Sequence, residues 1–306
     1  MYELAIIGGG PAGVAAGVYA ARKKIKTVLI TDIFGGQSLV SEDVQNWIGE
    51  ISIRGEKLAK NMEAHLRVQE GIDIKSGVLA SAVKKFGDNF SLSLSNGETL
   101  EAKYLLTTVG SKRRKLNIPG DQKFEGKGVV YCSTCDAPLF KGKTVAVVGG
   151  GNAGLESAID LTHYATKIYL LVRSGALRGD PISQEKATKS EKIEILYNCE
   201  PKEILGDMFV RGLKYLDKTA NETKELKLDG VFVEIGSIPN SDLIKDFVKI
   251  NEKGEIITDP RTQKAGENIW AAGDVTDVLY KQNNISMGDA IKAVLNIYET
   301  IHKGSK

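Results

Sequence analysis

The chain contains 306 residues, with 41 Lys and Arg residues against 39 Asp and Glu residues. This near balance gives no electrostatic argument for binding to nucleic acid or to an anionic membrane. No apolar run approaches the roughly 20 residues that a membrane span requires, and Met1 leads into a strand without the pattern of a secretory signal. Three cysteines are too few for a disulfide scaffold. We therefore expect a cytoplasmic protein of about two domains.

The first predicted element is an apolar strand, residues 4–7, that ends in a glycine-rich turn. The residues of this turn are Gly8, Gly10, Pro11, Ala12 and Gly13. In a dinucleotide-binding βαβ unit, the first glycine allows a tight turn, the second lets the backbone approach the diphosphate, and the third lets the helix pack on the strand. The diphosphate then lies at the helix N-terminus, where N–H groups favour anions. At the end of the next strand, Asp32 can accept hydrogen bonds from ribose hydroxyls.

The following segment predicts an interruption of this fold. Residues 54–70 show apolar residues at helical spacing among charges. Residues 78–109 are predicted to form antiparallel strands, with Asn96-Gly97 as a hairpin turn. Residues 110–120 and 236–240 are predicted to be linkers. Two linkers side by side are typical of a hinge on either side of an inserted domain.

A Cys-x-x-Cys pair, Cys132 and Cys135, precedes Asp136 within the predicted insertion. This spacing closes a small ring and helps to lower one thiol pKa, while a neighbouring carboxylate can shuttle a proton. The alternatives are a structural dithiol or half of a zinc site. Zinc would need two more ligands, and the remaining candidates are isolated: Cys199, His65, His163 and His302. We therefore predict a redox pair and no metal site.

Residues 145–172 match residues 4–31 without gaps, at an offset of 141 (145 minus 4). The second glycine turn consists of Gly149, Gly151, Asn152, Ala153 and Gly154. The copies differ where the nucleotide is recognised, because the second carries Arg173 and Arg178 in place of an acidic residue. Arginine suits a 2′-phosphate. The first turn is therefore predicted to bind FAD and the second NADPH, with NADH and a simple solvated loop as alternatives.

The C-terminal segment is predicted to return to the first domain. Residues 268–274 form an apolar strand that ends in Gly273-Asp274, and an amphipathic helix follows from about residue 286 to 302. Asp274 can bind the ribityl chain of a flavin, and the helix N-terminus can stabilise a reduced flavin. The alternative is an ordinary turn and a packing helix.

These motifs together predict an α/β fold with two Rossmann-like dinucleotide-binding domains of the three-layer ββα type, the second inserted into the first. Residues 1–112 and 240–306 would form the FAD-binding domain. Residues 113–239 would form the NAD(P)H-binding domain that carries the redox cysteines.

Nearly the whole chain resembles the low-molecular-weight thioredoxin reductases. The motifs that carry this resemblance are residues 8–13, 35–37, 46–47, 132–136, 149–154, 232–236 and 271–275. The resemblance implies a homodimer in which one domain rotates against the other during turnover. It implies that Cys135 faces the flavin, that Cys132 attacks the disulfide of thioredoxin, and that Asp136 protonates the departing thiolate. The positions that it implies for flavin contacts are Gly36, Gln37, Asn46, Gly273, Asp274 and Gln282.

The chain departs from the family pattern in two places. The 2′-phosphate motif His-Arg-Arg-x-x-x-Arg keeps only Arg173 and Arg178, and the second glycine motif ends in Gly154 where the family often has Ala. Residues 136–143 also resemble NADH-linked flavoproteins that reduce peroxiredoxins. We predict a thioredoxin-disulfide reductase that uses NADPH. The alternatives are an NADH- or ferredoxin-dependent reductase of a thioredoxin or peroxiredoxin system, and a redox-sensing flavoprotein.

Overall fold

In a computed structural model of the chain, the described residues are 1–41 and 44–303. They divide into two compact units. The first unit contains residues 1–41, 47–112 and 238–303, and the second contains residues 44–46 and 113–237. No helix in the described ranges is long and apolar enough to cross a membrane.

Short strands dominate both units. The strands are β1 (Tyr2–Gly9), β2 (Thr27–Phe34), β3 (Ile72–Ser76), β4 (Ala80–Phe86), β5 (Asn89–Leu94), β6 (Thr99–Thr107), β7 (Ser111–Arg113), β8 (Val129–Val130), β9 (Thr144–Val148), β10 (Lys167–Leu171), β11 (Ile193–Leu196), β12 (Cys199–Gly206), β13 (Val210–Asp217), β14 (Glu222–Lys227), β15 (Gly230–Val233), β16 (Ser237–Pro239), β17 (Lys264–Gly266) and β18 (Ile269–Ala271). The helices are α1 (Pro11–Arg22), α2 (Gly55–Arg67), α3 (Ser133–Asp136), α4 (Asn152–Leu161), α5 (Pro181–Lys189) and α6 (Asn283–Lys303).

The first unit is built on a mixed sheet with the order β17-β18-β6-β1-β2-β3, to which β4 and β5 are attached through β6. β1 pairs in parallel with β2 and β6, and α1 supplies the crossover that a parallel pair requires. α1 packs against β1, β2 and α6. The other face carries an apolar core that includes Ala5, Ile7, Val28, Phe90, Leu92 and Leu105.

The second unit has three layers. Its parallel sheet runs in the order β11-β10-β9-β15-β8. One face packs Val145, Val147 and Phe232 against Leu155 and Ala158 of α4. The opposite face packs against the antiparallel sheet β12-β13-β14 through a second core, whose members include Ala146, Val148, Val231, Val210 and Leu213. The alternation of side chains along β9 therefore covers both faces of the sheet, as expected for a buried parallel strand.

The prediction of an α/β fold with Rossmann-like units is confirmed by these parallel sheets and glycine turns. The helix predicted over residues 54–70 is α2, and Asn96-Gly97 joins β5 to β6. A second hairpin turn, at residues 87–88 between β4 and β5, was not predicted. The C-terminal helix begins at Asn283, three residues before its predicted start (286 minus 283).

The predicted linkers contain two short strands, β7 and β16, which pair with each other. This pairing satisfies backbone groups that a free linker would leave to water. The compact units also group some residues differently from the predicted domains. Residues 44–46 fall in the second unit, where the Asn46 amide donates to the Cys135 sulfur over 3.7 Å. Residues 238–239 fall in the first.

Candidate active site

The first glycine turn forms a backbone cradle at the start of α1. Gly8 has a φ of +115°, a conformation that favours glycine. A Cβ at Gly13 would overlap the carbonyl oxygen of Gly8, so the missing side chain allows α1 to approach β1. α1 begins at Pro11 after the N-cap residue Gly10, which has no side chain to cap the first N–H groups. These groups can therefore receive a diphosphate.

Other predicted flavin-contacting residues lie near this turn. A Cβ at Gly10 would be 4.0 Å from the Cα of Gly36, so the two backbones come close together. A Cβ at Gly273 would be 3.3 Å from that of Ala12. The Ser286 hydroxyl donates to Asp274 over 3.3 Å. The cradle that these small residues leave is compatible with the phosphates and ribityl chain of FAD.

Three further residues of the first unit were predicted to contact FAD. The Gln37 amide donates to the Ser111 carbonyl over 2.6 Å. Gln282 precedes α6, and its carbonyl accepts a hydrogen bond from the Ser286 N–H. Asp32 is exposed within β2, which continues to Phe34 beyond its predicted end.

The paired cysteines lie at the start of a single helical turn. Cys132 and Cys135 form a disulfide, with their Cα atoms 5.3 Å apart. The Cys135 N–H donates to the Cys132 sulfur over 3.2 Å, and the Asp136 N–H donates to the Cys132 carbonyl over 3.0 Å. The Asp136 residue is only 9% exposed. The Ser133 hydroxyl donates to Asp160 over 3.1 Å, which connects this turn to α4, the helix that follows the second glycine turn.

The second glycine turn opens onto a cleft with a volume of about 950 Å³. Gly149 has a φ of +144°, and a Cβ at Gly154 would overlap the Gly149 carbonyl oxygen. α4 follows Gly151 without a side-chain cap. Its first N–H groups can therefore bind a second diphosphate. The predicted residues that line the cleft are Gly149, Gly151, Asn152, Ala153, Arg173 and Arg178.

The loop that carries the two arginines is anchored to the turn itself. The Arg178 N–H donates to the Gly150 carbonyl over 2.7 Å, and the Asp180 N–H donates to the Asn152 side chain over 2.7 Å. This loop is therefore fixed beside the diphosphate position rather than free in solvent. The backbone anchors hold this loop at the glycine turn, and Arg173 and Arg178 both line the cleft.

Two charged residues of the cleft had no role in the sequence prediction. Arg114 lies in the predicted linker of residues 110–120, and it lines the cleft together with Gly236. Glu234 lies directly after β15 and accepts a hydrogen bond from the Ser157 hydroxyl over 3.4 Å. Burial raises the pKa of Glu234 to about 7, although the charge of Arg113 opposes the shift. An acidic residue between the apolar run of β15 and Gly236 was the available sequence signal.

Cys199 is the third cysteine and lines the same cleft. It is buried and outside any disulfide, its sulfur lies 3.2 Å from the Tyr197 carbonyl, and burial raises the pKa of its thiol. A buried thiol with a raised pKa is a poor nucleophile. Within the described ranges, no group of three or more His, Cys, Asp and Glu side chains could hold a metal ion.

Several known proteins are similar to this chain. An NADH dehydrogenase of Bacillus subtilis is 39% identical over 298 residues, which are 97% of this chain and 58% of that protein. A component of the alkyl hydroperoxide reductase of Pseudomonas aeruginosa is 40% identical over 308 aligned positions, which cover 99% of this chain and 59% of that protein. The chain thus spans about three fifths of the length of these relatives.

The crystal structure of thioredoxin reductase from Streptococcus pyogenes superimposes with a TM-score of 0.91 and 30% identity, and 99% of each chain is covered. The sequence pattern of the pyridine nucleotide-disulphide oxidoreductases matches residues 2–298. Both findings agree with the resemblance predicted from the glycine turns and the cysteine pair. The chain belongs to the pyridine nucleotide-disulphide oxidoreductase family.

Proposed function

We propose that this protein is an FAD-dependent thioredoxin-disulfide reductase that uses NADPH. The observation that carries the proposal is the Cys132–Cys135 disulfide followed by Asp136, in the same compact unit as a nucleotide-sized cleft with a glycine turn. FAD, when bound at the first glycine turn, would accept a hydride from the nicotinamide and supply electrons to the disulfide. The first unit offers the cradle for this group around Gly10 and Gly36.

The two cysteines and Asp136 account for the transfer to the partner. Reduction of Cys132–Cys135 to two thiols takes two electrons and two protons. The Cys132 thiolate would then attack a disulfide of thioredoxin and form a mixed disulfide. Attack by Cys135 on Cys132 releases the partner as a dithiol and restores the original disulfide. Asp136 would protonate the thiolate that leaves; its burial and its position directly after Cys135 support this role.

The positive charge in the cleft supports NADPH as the electron donor. Arg173 and Arg178 line the cleft, and the loop between them is anchored to the glycine turn. Two guanidinium groups suit a 2′-phosphate, which favours NADPH. NADH is the second candidate, because Ser174 stands where the family motif has a further arginine. The similarity to an NADH dehydrogenase also supports this candidate.

The test is turnover of the FAD-loaded protein with NADPH or NADH as the donor and oxidised thioredoxin as the acceptor. We expect turnover with NADPH, and its loss in Cys135→Ser. Cys199→Ser is the matched control, because that thiol is buried and outside the disulfide. If Cys135→Ser still reduced thioredoxin, the proposed path would be wrong. Turnover only with NADH, or only with reduced ferredoxin, would overturn the choice of donor.

A redox-sensing flavoprotein is the alternative function. Nucleotide-dependent binding of a partner without multiple turnover would favour this alternative. We also propose that the protein is a homodimer. A homodimer would have twice the chain mass of 33.1 kDa, which light scattering can measure. We also propose a cytoplasmic location, where thiols are kept reduced and a paired Cys-x-x-Cys is typically catalytic.

A further inference from the structure

Glu234 lines the nucleotide cleft together with the two arginines, but it follows the strand on the other side of β9. Its N–H donates to the Val148 carbonyl over 2.9 Å, so it is level with the end of β9. Its own carbonyl oxygen lies against Gly149, where a Cβ would overlap it. Glu234 is therefore fixed by the backbone directly beside the first glycine of the turn.

The strand order separates Glu234 from the arginines. In the order β11-β10-β9-β15-β8, β10 and β15 lie on opposite sides of β9. Arg173 follows β10 closely, whereas Glu234 follows β15 directly. A dinucleotide lies across the point where such a sheet reverses its strand order. If its adenosine half lies on the side of Arg173, its other nucleoside lies on the side of Glu234.

The carboxyl group of Glu234 also suits a nucleoside better than a phosphate. A carboxylate repels the diphosphate but accepts hydrogen bonds from a pair of ribose hydroxyls. Arg114 lies at the same end, with its Cδ and Nε 3.9 Å from a Cβ placed on Gly236. This end of the cleft thus combines an acceptor for hydroxyls with a cation.

We propose that Glu234 binds the ribose hydroxyls of the nicotinamide half of the dinucleotide. The inference rests on the proposed function, because it takes the cleft as the site of the pyridine nucleotide. It assigns recognition of the two nucleosides to different side chains: arginines at the adenosine end and a carboxyl group at the nicotinamide end.

The experiment compares three ligands that share the same adenosine end and differ in how much of the dinucleotide follows it. ADP lacks the second ribose, ADP-ribose contains it, and NAD⁺ adds the nicotinamide. Their dissociation constants are measured by calorimetry for the FAD-loaded wild-type protein and Glu234→Ala. If the wild-type protein prefers NADP⁺, each of the three ligands is replaced by its counterpart with a 2′-phosphate on the adenosine. Glu156→Gln is the matched control, since that carboxyl is exposed on α4 and does not line the cleft.

We expect Glu234→Ala to weaken ADP-ribose and NAD⁺ roughly tenfold or more, as for loss of hydrogen bonds to a charged group. ADP binding should stay unchanged, which also shows that the variant is folded. Glu234→Gln, which keeps an acceptor and the side-chain volume, should fall between wild type and Glu234→Ala. Glu156→Gln should bind all three ligands as the wild type does.

Other outcomes would overturn the inference. Equal weakening of all three ligands would indicate a structural role for Glu234. No weakening of ADP-ribose, even with weaker NAD⁺, would mean that Glu234 does not contact the ribose. If the wild-type protein bound none of the three ligands in either series, the proposed function of the cleft would itself be wrong. That result is distinguishable from the failure of Glu234 alone.

Discussion

Gly154 packs against Gly149 so closely that a Cβ at position 154 would overlap the Gly149 carbonyl oxygen. This contact explains why the second glycine motif ends in Gly where related motifs often end in Ala. Gly154→Ala should push α4 away from β9 and lower the free energy of unfolding by about 1–3 kcal/mol, as overpacking does. Denaturant unfolding would measure the loss, and nucleotide affinity should fall with it.

Gly151→Ala is the matched control for that change. Apart from Gly151 itself and its two chain neighbours, no atom of the described residues lies within 4 Å of a Cβ built at Gly151. The methyl group should therefore leave unfolding unchanged but occupy the space where a diphosphate approaches the helix N-terminus. Weaker nucleotide binding with unaltered stability is the expected result. Equal stability of both variants would contradict the packing argument.

If the arginines of the cleft bind the 2′-phosphate, the protein should distinguish NADPH from NADH through them. Arg178→Ala should raise KM for NADPH roughly tenfold or more, because a charge-assisted hydrogen bond is lost, and leave KM for NADH nearly unchanged. Steady-state kinetics with each donor test this, with Lys218→Ala as a control for a cation of the same cleft that pairs with Glu200 over 2.9 Å. Equal effects on both donors would show that Arg178 does not contact the 2′-phosphate.

The proposed role of Asp136 as a general acid predicts that replacing it slows proton transfer. Asp136→Asn keeps the size of the side chain but removes the acid, so thioredoxin reduction should slow about 10²-fold or more. Flavin reduction by the nicotinamide should keep its rate in stopped-flow measurements. Asp160→Asn is the control, since that carboxylate accepts from Ser133 without lying next to the disulfide in sequence. Unchanged turnover in Asp136→Asn would exclude Asp136 as the acid.

The raised pKa of Glu234 predicts that the stability of the protein depends on pH. Burial raises its pKa from 4.5 to about 7, so between these values the folded protein holds a proton that the unfolded chain releases. The free energy of unfolding therefore falls as pH rises through this window. Glu234→Gln should be more stable than the wild type at pH 8, by at most about 3 kcal/mol. The difference should shrink towards pH 5, and a difference independent of pH in urea unfolding would contradict the raised pKa.

Much of this fold was predictable because glycine turns and apolar strands are local patterns. The offset between residues 4–31 and 145–172 reveals both βαβ units. The three-layer ββα type implies an antiparallel layer in the second domain, but the strands β12, β13 and β14 were not located in the sequence, because the edge strand β14 is mostly polar and its partners alternate imperfectly. Neither was the pairing of β7 with β16, since it joins segments that are far apart in sequence.

The residues of the candidate site also fall into those that sequence motifs predicted and those that they did not. The cysteine pair, the glycines and the two arginines carry motif spacing, and the structure places the second glycine turn and both arginines around one cleft. Glu234 lies within the motif of residues 232–236, but that motif gave it no binding role, and Arg114 belongs to no motif. They reach the cleft because β15 lies beside β9 and because Arg114 donates its N–H to the Gly236 carbonyl over 3.0 Å. Only the tertiary arrangement reveals them.

The central claim is that electrons pass from a nicotinamide through FAD to the Cys132–Cys135 disulfide. Anaerobic titration of the FAD-loaded protein with NADPH, followed by flavin absorbance, tests it most directly. Since FAD and a disulfide each accept two electrons, the wild type should need about two equivalents per flavin for full bleaching. Cys135→Ser should need about one. Full bleaching of the wild type by one equivalent, with the disulfide still intact, would contradict the account.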